Sequence, residues 1–323
     1  MPLKIGLCGF GRRGQLLLNR LMEIKVNEFD ITGVYDIDES KKSLLPSNIE
    51  WYQDYFKLLS DCNAIIIATS PSSHYKLVKD ALEHDIDVLV EKPSTLRYEN
   101  DLELEKISQN KGKILAVGYS ERFNPVVEVA KREINPNEVI FYAAKRFNWS
   151  QPIGERPGLE YDLMSHDIDI GYYIFGFPPN AKFLKRNDEI SIMQLTYGHI
   201  NSTLTVCMRE EIGYRIRTAE IYLKDKFINM NYGEQKISIY GGPKIPDEWK
   251  RNFHRLNYMQ IMYLSRSSEM LHQSFNDEPI KRMLICFFKS IKKGKILKPL
   301  CSISESKITT KTIEDAFKKI KFE

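Results

Sequence analysis

Two stretches carry residue types that could do chemistry together. The first is Glu91-Lys92-Pro93, at the end of DIDVLVEKP. Asp85 to Val90 reads as a short β-branched strand stopped by proline. In an open parallel sheet, ligands sit outside the carboxyl ends of the strands, which puts Lys92 at the rim of a crevice. Pro93 fixes the backbone just after it. The second stretch is YDLMSHDIDIGYYIFG. There Asp162 and His166 are four apart, so on a helix they share one face, with Asp169 three residues further on. A carboxylate beside an imidazole fixes its tautomer and makes a competent general base. A helix cap or a surface ion pair fits the same spacing, and on the spacing alone that plainer reading is preferred. A metal site is disfavoured because no further His or Cys cluster completes a ligand set.

A third group would supply a cofactor. Leu3 to Cys8 predicts a strand, GFGRRG follows, and GQLLLNRLMEI has a helical pattern. Gly9, Phe10, Gly11, Arg12 and Gly14 thus form a GxGxxG turn between strand and helix. Its glycines serve a tight turn, backbone access to a pyrophosphate, and close helix–sheet packing. The helix N-terminus adds partial positive charge. ITGVYDID predicts a strand ending at Asp36, where a carboxylate would accept the adenosine ribose hydroxyls and repel a 2′-phosphate. NAD is therefore expected over NADP. Asp38 supports that expectation; Arg12, Arg13, Lys41 and Lys42 act against it. The plainer alternative for Asp36 is a strand-end turn residue.

These residues need elements to position them. NAIIIAT predicts a buried parallel strand, SPSSH opens a helix through Glu83, and after the strand to Lys92 a helix runs from about Tyr98 to Gln109. KILAVGYS is one more strand. This alternation is the doubly wound α/β pattern, and it covers residues 1–120. From 121 to 323 strand-like runs alternate with turns, as in a mainly antiparallel sheet. One helix interrupts them, from about Leu159 to Phe175 and stopped at Gly176, and two amphipathic helices close the chain. Two domains are expected: a Rossmann domain and an α/β domain with an open sheet. Pro243 to Pro279, rich in aromatic and basic residues, reads as a lid or a partner surface.

Composition excludes several classes. The 47 basic and 43 acidic residues leave a net charge of +4, too balanced for a nucleic-acid partner. No apolar run could span a bilayer. A strand beginning within three residues of Met1 leaves no room for a signal peptide, so a cytoplasmic location is expected. The five cysteines are scattered and read as free thiols.

GLCGFGRRG, ATSPSSH, VLVEKP, GYSERFNP and DLMSHDIDI, in that order, resemble the glucose–fructose oxidoreductase/inositol dehydrogenase (Gfo/Idh/MocA) family, and EPIKRMLICFFKSIKKG resembles its closing segment. SERFNPVV, DLMSHDIDI and the strands ending in NYGEQKISIY are most similar to the UDP-N-acetylglucosamine 3-dehydrogenase branch. Pro157-Gly158-Leu159, where many members carry Gly-Gly, departs from the pattern and puts the substrate in doubt. The resemblance implies a catalytic set of Lys92, Asp162 and His166. It places Thr69, Pro71, His74 and Glu91 around the nicotinamide half of the cofactor, with Ser70 and Lys92 in the same binding site. It further implies a sugar or nucleotide-sugar substrate, and a homodimer or homotetramer built through the C-terminal sheet. Arg122, Asn124, Arg146 and Arg156 are candidate substrate contacts, each equally suited to a structural salt bridge. The implied reaction interconverts a secondary hydroxyl and a ketone, with either His166 or Lys92 taking the proton. Two other classes stay open: a dinucleotide-binding regulator of the same fold, and a reductase for an imine or tetrapyrrole. Neither has a use for the whole set of Lys92, Asp162 and His166.

Overall fold

The computed structural model describes residues 2–24, 29–148, 157–208, 215–241 and 268–320. Two sheets organise them. The first has seven strands: β1 (Leu3–Cys8), β2 (Phe29–Tyr35), β3 (Trp51–Tyr52), β4 (Ala64–Ile67), β5 (Asp87–Val90), β6 (Leu115–Val117) and β15 (Cys301–Ser302). Their order is β15-β6-β5-β4-β1-β2-β3, parallel except for β15, which runs antiparallel along β6. β4, AIII, is buried at every position, as a strand covered on both faces must be.

Helices cover both faces of this sheet. On one lie α2 (Tyr55–Asp61), α3 (Pro71–Glu83) and α4 (Tyr98–Lys111), which bury Leu58, Val78, Leu82 and Leu104. From the first 120 residues the other face receives α1 (Arg12–Glu23) alone. Its remaining area is covered by a late helix, Pro279–Lys293, whose Met283, Leu284, Phe287 and Phe288 pack with Leu17, Leu18, Leu21 and Phe29. Residues 279–302 thus return to the first sheet.

The second sheet has eight strands: β7 (Val139–Asn148), β8 (Pro179–Arg186), β9 (Ile190–Tyr197), β10 (Ile200–Met208), β11 (Ile216–Leu223), β12 (Lys226–Asn231), β13 (Lys236–Gly241) and β14 (Ser268–Ser274). The order is β14-β13-β12-β11-β7-β10-β9-β8, antiparallel except for β7 beside β10. Against its inner face pack α5 (Pro125–Glu133), α6 (Ser165–Phe175) and, after the Pro279–Lys293 helix (α7), the last helix α8 (Ile303–Lys318). A capping box of Ser302 and Glu305 starts α8. The edge strand β8, PNAKFLKR, carries Lys182, Lys185 and Arg186 exposed, and charged residues protect a sheet edge from further pairing. Of the stretch 243–279, residues 243–267 lie outside the described residues; the rest supplies β14 and the approach to α7.

One buried carboxyl couples this packing to pH. Asp101 on α4 is fully buried and accepts a 3.0 Å bond from the Ser94 hydroxyl, which also meets Ser306 of α8 at 2.8 Å. Burial pushes its carboxyl up to about 6. Between pH 4 and 6 the folded chain therefore holds a proton that the unfolded chain has lost, so this group's contribution weakens as pH rises through that window. Asp101→Asn should remove that slope, worth at most about 3 kcal/mol between pH 4 and pH 7. Urea unfolding at several pH values, wild type against variant, checks it; identical slopes would refute the assignment.

Candidate active site

The glycine-rich turn joins β1 to α1, and its three glycines differ in what a side chain would meet. Gly9 has φ +95°, and a Cβ there would lie 2.7 Å from the Ala68 carbonyl; a Cβ at Gly14 would lie 1.9 Å from the Gly9 oxygen. A Cβ at Gly11 would meet nothing within 4 Å. Two glycines are thus required by the protein's own backbone, and the third leaves open space at the first turn of α1, where a diphosphate needs close backbone approach. Phe10 is buried, with its ring edge-on to Trp51, so it can serve a ligand through its backbone only. Arg12 is exposed in the first turn.

Asp36 stands one residue past β2. Its carboxylate accepts the Phe10 N–H at 2.6 Å and the Asp38 N–H at 2.9 Å, and Lys41 Nζ lies 3.0 Å from both oxygens. The acid is fixed where an adenosine ribose would meet it, with an ammonium alongside. These residues fit a dinucleotide.

The loop after β4 meets the loop after β5. Thr69 Oγ1 and Ser73 Oγ are 2.7 Å apart, Ser70 precedes α3, and Pro71 occupies its first turn. His74 is completely buried, with Nδ1 2.9 Å from the Pro93 carbonyl and Nε2 3.2 Å from that of Thr69. Its ring has no exposed surface and fastens the loop after β4 to the loop after β5. Glu91 continues the sheet through its N–H to Ile67, and its carboxylate accepts Arg13 Nε at 2.7 Å.

Lys92 follows, held by one residue. Its Nζ donates to the Asp162 carboxylate at 3.0 Å and to the Asp162 backbone carbonyl at 2.5 Å. An ammonium has three protons, so one is left for a ligand. The Asp162–His166 contact expected from helical spacing is not formed. Residues Glu160–Met164 make a π-turn, in which the Ser165 N–H reaches back to Glu160 O, and α6 begins only at Ser165. Such widened turns recur at functional sites. Here the π-turn comes with an Asp162 whose side chain and carbonyl both face Lys92.

The His166 imidazole forms no hydrogen bond with any described residue, and its Nδ1 is buried without a partner. Its ring stands edge-on to Tyr119, with centroids 6.2 Å apart. Burial, together with the cations of Lys92, Arg146, Arg217 and Arg13, holds its pKa well below the ordinary range. Both causes favour the neutral imidazole over the charged one.

The candidate substrate contacts among the described residues are engaged within the protein. Arg122 is fully buried in a fork with Asp169, at 2.8 and 2.6 Å, and reaches Glu305 at 3.1 Å. Arg146 forms the same fork with Asp167, at 3.0 Å on both arms, and lies 3.3 Å from Glu121. Asn124 caps α5 and donates to the Tyr232 carbonyl. These side chains lock α6 to the two sheets, and the spacing of Asp167 and Asp169 serves that purpose rather than catalysis. Arg156 lies outside the described residues. Tyr119, Glu121 and Arg217 come to the site without having been singled out in the sequence; for Arg217 the signal was an arginine in the inward phase of β11, two before Ala219.

Residues 3–119 match the family model described as "Oxidoreductase family, NAD-binding Rossmann fold". An uncharacterized oxidoreductase of Schizosaccharomyces pombe is 29% identical over 194 residues, 55% of this chain and 53% of its own. The scyllo-inositol 2-dehydrogenase (NAD(+)) of Bacillus subtilis is 32% identical over 136 residues, 39% of this chain and 40% of its own. The chain thus spans about half, or less, of the length of these two relatives. The UDP-N-acetylglucosamine 3-dehydrogenase of Acidithiobacillus ferrooxidans is 22% identical over 248 residues, 74% of this chain and 77% of its own. A solved structure of that enzyme, GnnA, superposes with a TM-score of 0.81 at 17% identity, covering 98% of this chain and 97% of the other, which establishes likeness of fold. Over residues 3–119, which carry the glycine turn and the Lys92 loop, the chain is thus similar to the Gfo/Idh/MocA oxidoreductase family.

Proposed function

We propose that the protein is an NAD-dependent dehydrogenase that interconverts a secondary hydroxyl and a ketone on a sugar or nucleotide sugar. The observation that carries this reading is the pairing of an anchored ammonium, Lys92 on Asp162, with a neutral, unbonded imidazole, His166, beyond a glycine turn shaped for a dinucleotide. A dinucleotide, when bound, supplies the hydride acceptor or donor. Asp162 holds Lys92 so that its remaining proton can be donated to the substrate oxygen, where negative charge develops as the hydroxyl is oxidised. His166 takes the hydroxyl proton in oxidation and returns it in reduction. The buried Asp36 carboxylate supports NAD over NADP, although Lys41 reduces its repulsion toward a 2′-phosphate.

Assembly through the second sheet belongs to the same proposal. On its outer face Phe141, Tyr222, Phe227 and Tyr240 contact one another across β7, β11, β12 and β13, and Ile140 is 56% exposed. A row of rings on an open face suits a second copy of the chain.

The test is NADH or NADPH formation against UDP-sugars, free hexoses and inositols, with the reverse direction assayed on the corresponding ketones. Turnover of one sugar class with NAD is the expected result. Tight dinucleotide binding without turnover across the panel, in both directions, would instead favour a regulator.

A further inference from the structure

Arg217 stands beside Arg146 but, unlike it, forms no carboxylate fork among the described residues. It stands on β11 directly across from Arg146 on β7, and it shares the inward phase with Ala219, Ile221 and Leu223. Like charges opposite each other on adjacent strands repel. Arg146 is neutralised by Asp167; Arg217 is not. Its nearest anion is Glu121, at 3.8 Å, and Glu121 already serves Arg146 at 3.3 Å and Asn124 at 3.2 Å. Arg217 Nε is buried with no acceptor among the described residues. About a third of the side chain is still open to solvent, and Arg215, two residues earlier, adds a further positive charge. Burial and those two arginines lower the pKa of Arg217, and its charge is among those felt by His166. Arg217 and Lys92 thus both disfavour the charged form of His166. A guanidinium whose carboxylate contact is 3.8 Å long and shared with a second arginine is poised for an oxyanion brought by a ligand.

We propose that Arg217 anchors an anionic group of the substrate, a phosphate or a carboxylate, beside the reacting carbon. This rests on the reading of Lys92 and His166 as the reaction centre and narrows it: the substrate is a charged sugar, not a free hexose or inositol. Arg217 is a specificity-determining contact and takes no part in proton transfer.

The first arm needs no turnover. Inorganic pyrophosphate and glucuronate are titrated calorimetrically into NADH-saturated protein, so that the dinucleotide's own phosphate site is filled. Arg217→Met keeps the length of the side chain and removes the charge. It should weaken binding of whichever anion binds the wild type by roughly 30- to 100-fold, while Arg217→Lys retains part of it. Pyrophosphate and glucuronate distinguish a phosphate group from a carboxylate. The control is Lys145→Met, exposed on the opposite face of β7, which should bind like the wild type. Because Arg217 is underpaired, Arg217→Met should melt no lower than the wild type, whereas a purely structural arginine would lower the melting temperature. Equal anion binding by wild type and Arg217→Met, no binding of either anion by the wild type, or a less stable variant with binding intact would each overturn the proposal. The second arm is kinetic: with a charged sugar, KM should rise in Arg217→Met far more than kcat falls. If a neutral sugar turns over equally well in wild type and Arg217→Met, the anion site fails while the dehydrogenase stands. If anions bind through Arg217 and nothing turns over, the reverse holds.

Discussion

Lys92→Ala should lower kcat by about 10²- to 10³-fold, the usual loss for one donor aimed at a developing oxyanion. The expectation follows from how firmly the ammonium is placed. Its position is set from three sides: β5 delivers it, the loop tied down by His74 follows it, and Asp162 grips two of its three protons. Removing the side chain also leaves the Asp162 carboxylate beside the substrate oxygen, where its charge opposes the one that forms. Asp162→Asn should therefore cost less than Lys92→Ala, since it loosens the lysine without removing it. NADH affinity, followed by fluorescence, should change far less than kcat in both variants. A Lys92→Ala protein that keeps a tenth of wild-type turnover would remove Lys92 from the chemistry.

A pair of glycine substitutions should separate folding from cofactor binding. In Gly14→Ala the new methyl carbon would fall 1.9 Å from the Gly9 oxygen, inside bonded-contact range for two atoms of fixed backbone. Strand β1 or helix α1 must move, and we expect a loss of about 3 kcal/mol or more, seen as a lower urea midpoint, together with loss of NADH binding. In Gly11→Ala the methyl meets no protein atom, and the backbone, at φ −71° and ψ −170°, suits any residue. Stability should hold or rise by up to about 1 kcal/mol, while NADH affinity drops at least tenfold because the diphosphate loses its close approach. Unfolding curves and NADH titrations on the two proteins give the comparison. Unchanged NADH affinity in Gly11→Ala would mean the dinucleotide does not lie over this turn.

Much of this was legible in the sequence because local pattern and tertiary role coincide there. The glycine spacing, the continuous apolar run at Ile65–Ile67 and the strand ending at Lys92 announce a parallel sheet and its ligand rim. Residues doing two jobs misled. Asp162 and His166 have α-helical spacing, but a single widened turn gave the aspartate to Lys92, and a backbone register change of that kind leaves no mark in residue type. Arg122 and Arg146 look like ligand residues because guanidiniums are expensive to bury, yet each found a carboxylate two residues apart on α6, a contact between segments far apart in the chain. Arg217 was overlooked for the converse reason: its importance lies in the partner it lacks, which only the assembled sheet reveals.

The return of α7 and β15 to the first sheet has a consequence for the chain as it is made. Strand β6 leaves the ribosome with one edge open, and the strand that closes it follows about 180 residues later, roughly 10 to 40 seconds at ordinary synthesis rates. For that interval a parallel sheet presents unpaired backbone and an apolar face awaiting Met283, Leu284, Phe287 and Phe288. The first sheet thus gains its closing strand and its second cover only once residues 279–302 have been made. Its own last residues, more than any early segment, decide when it becomes safe from aggregation.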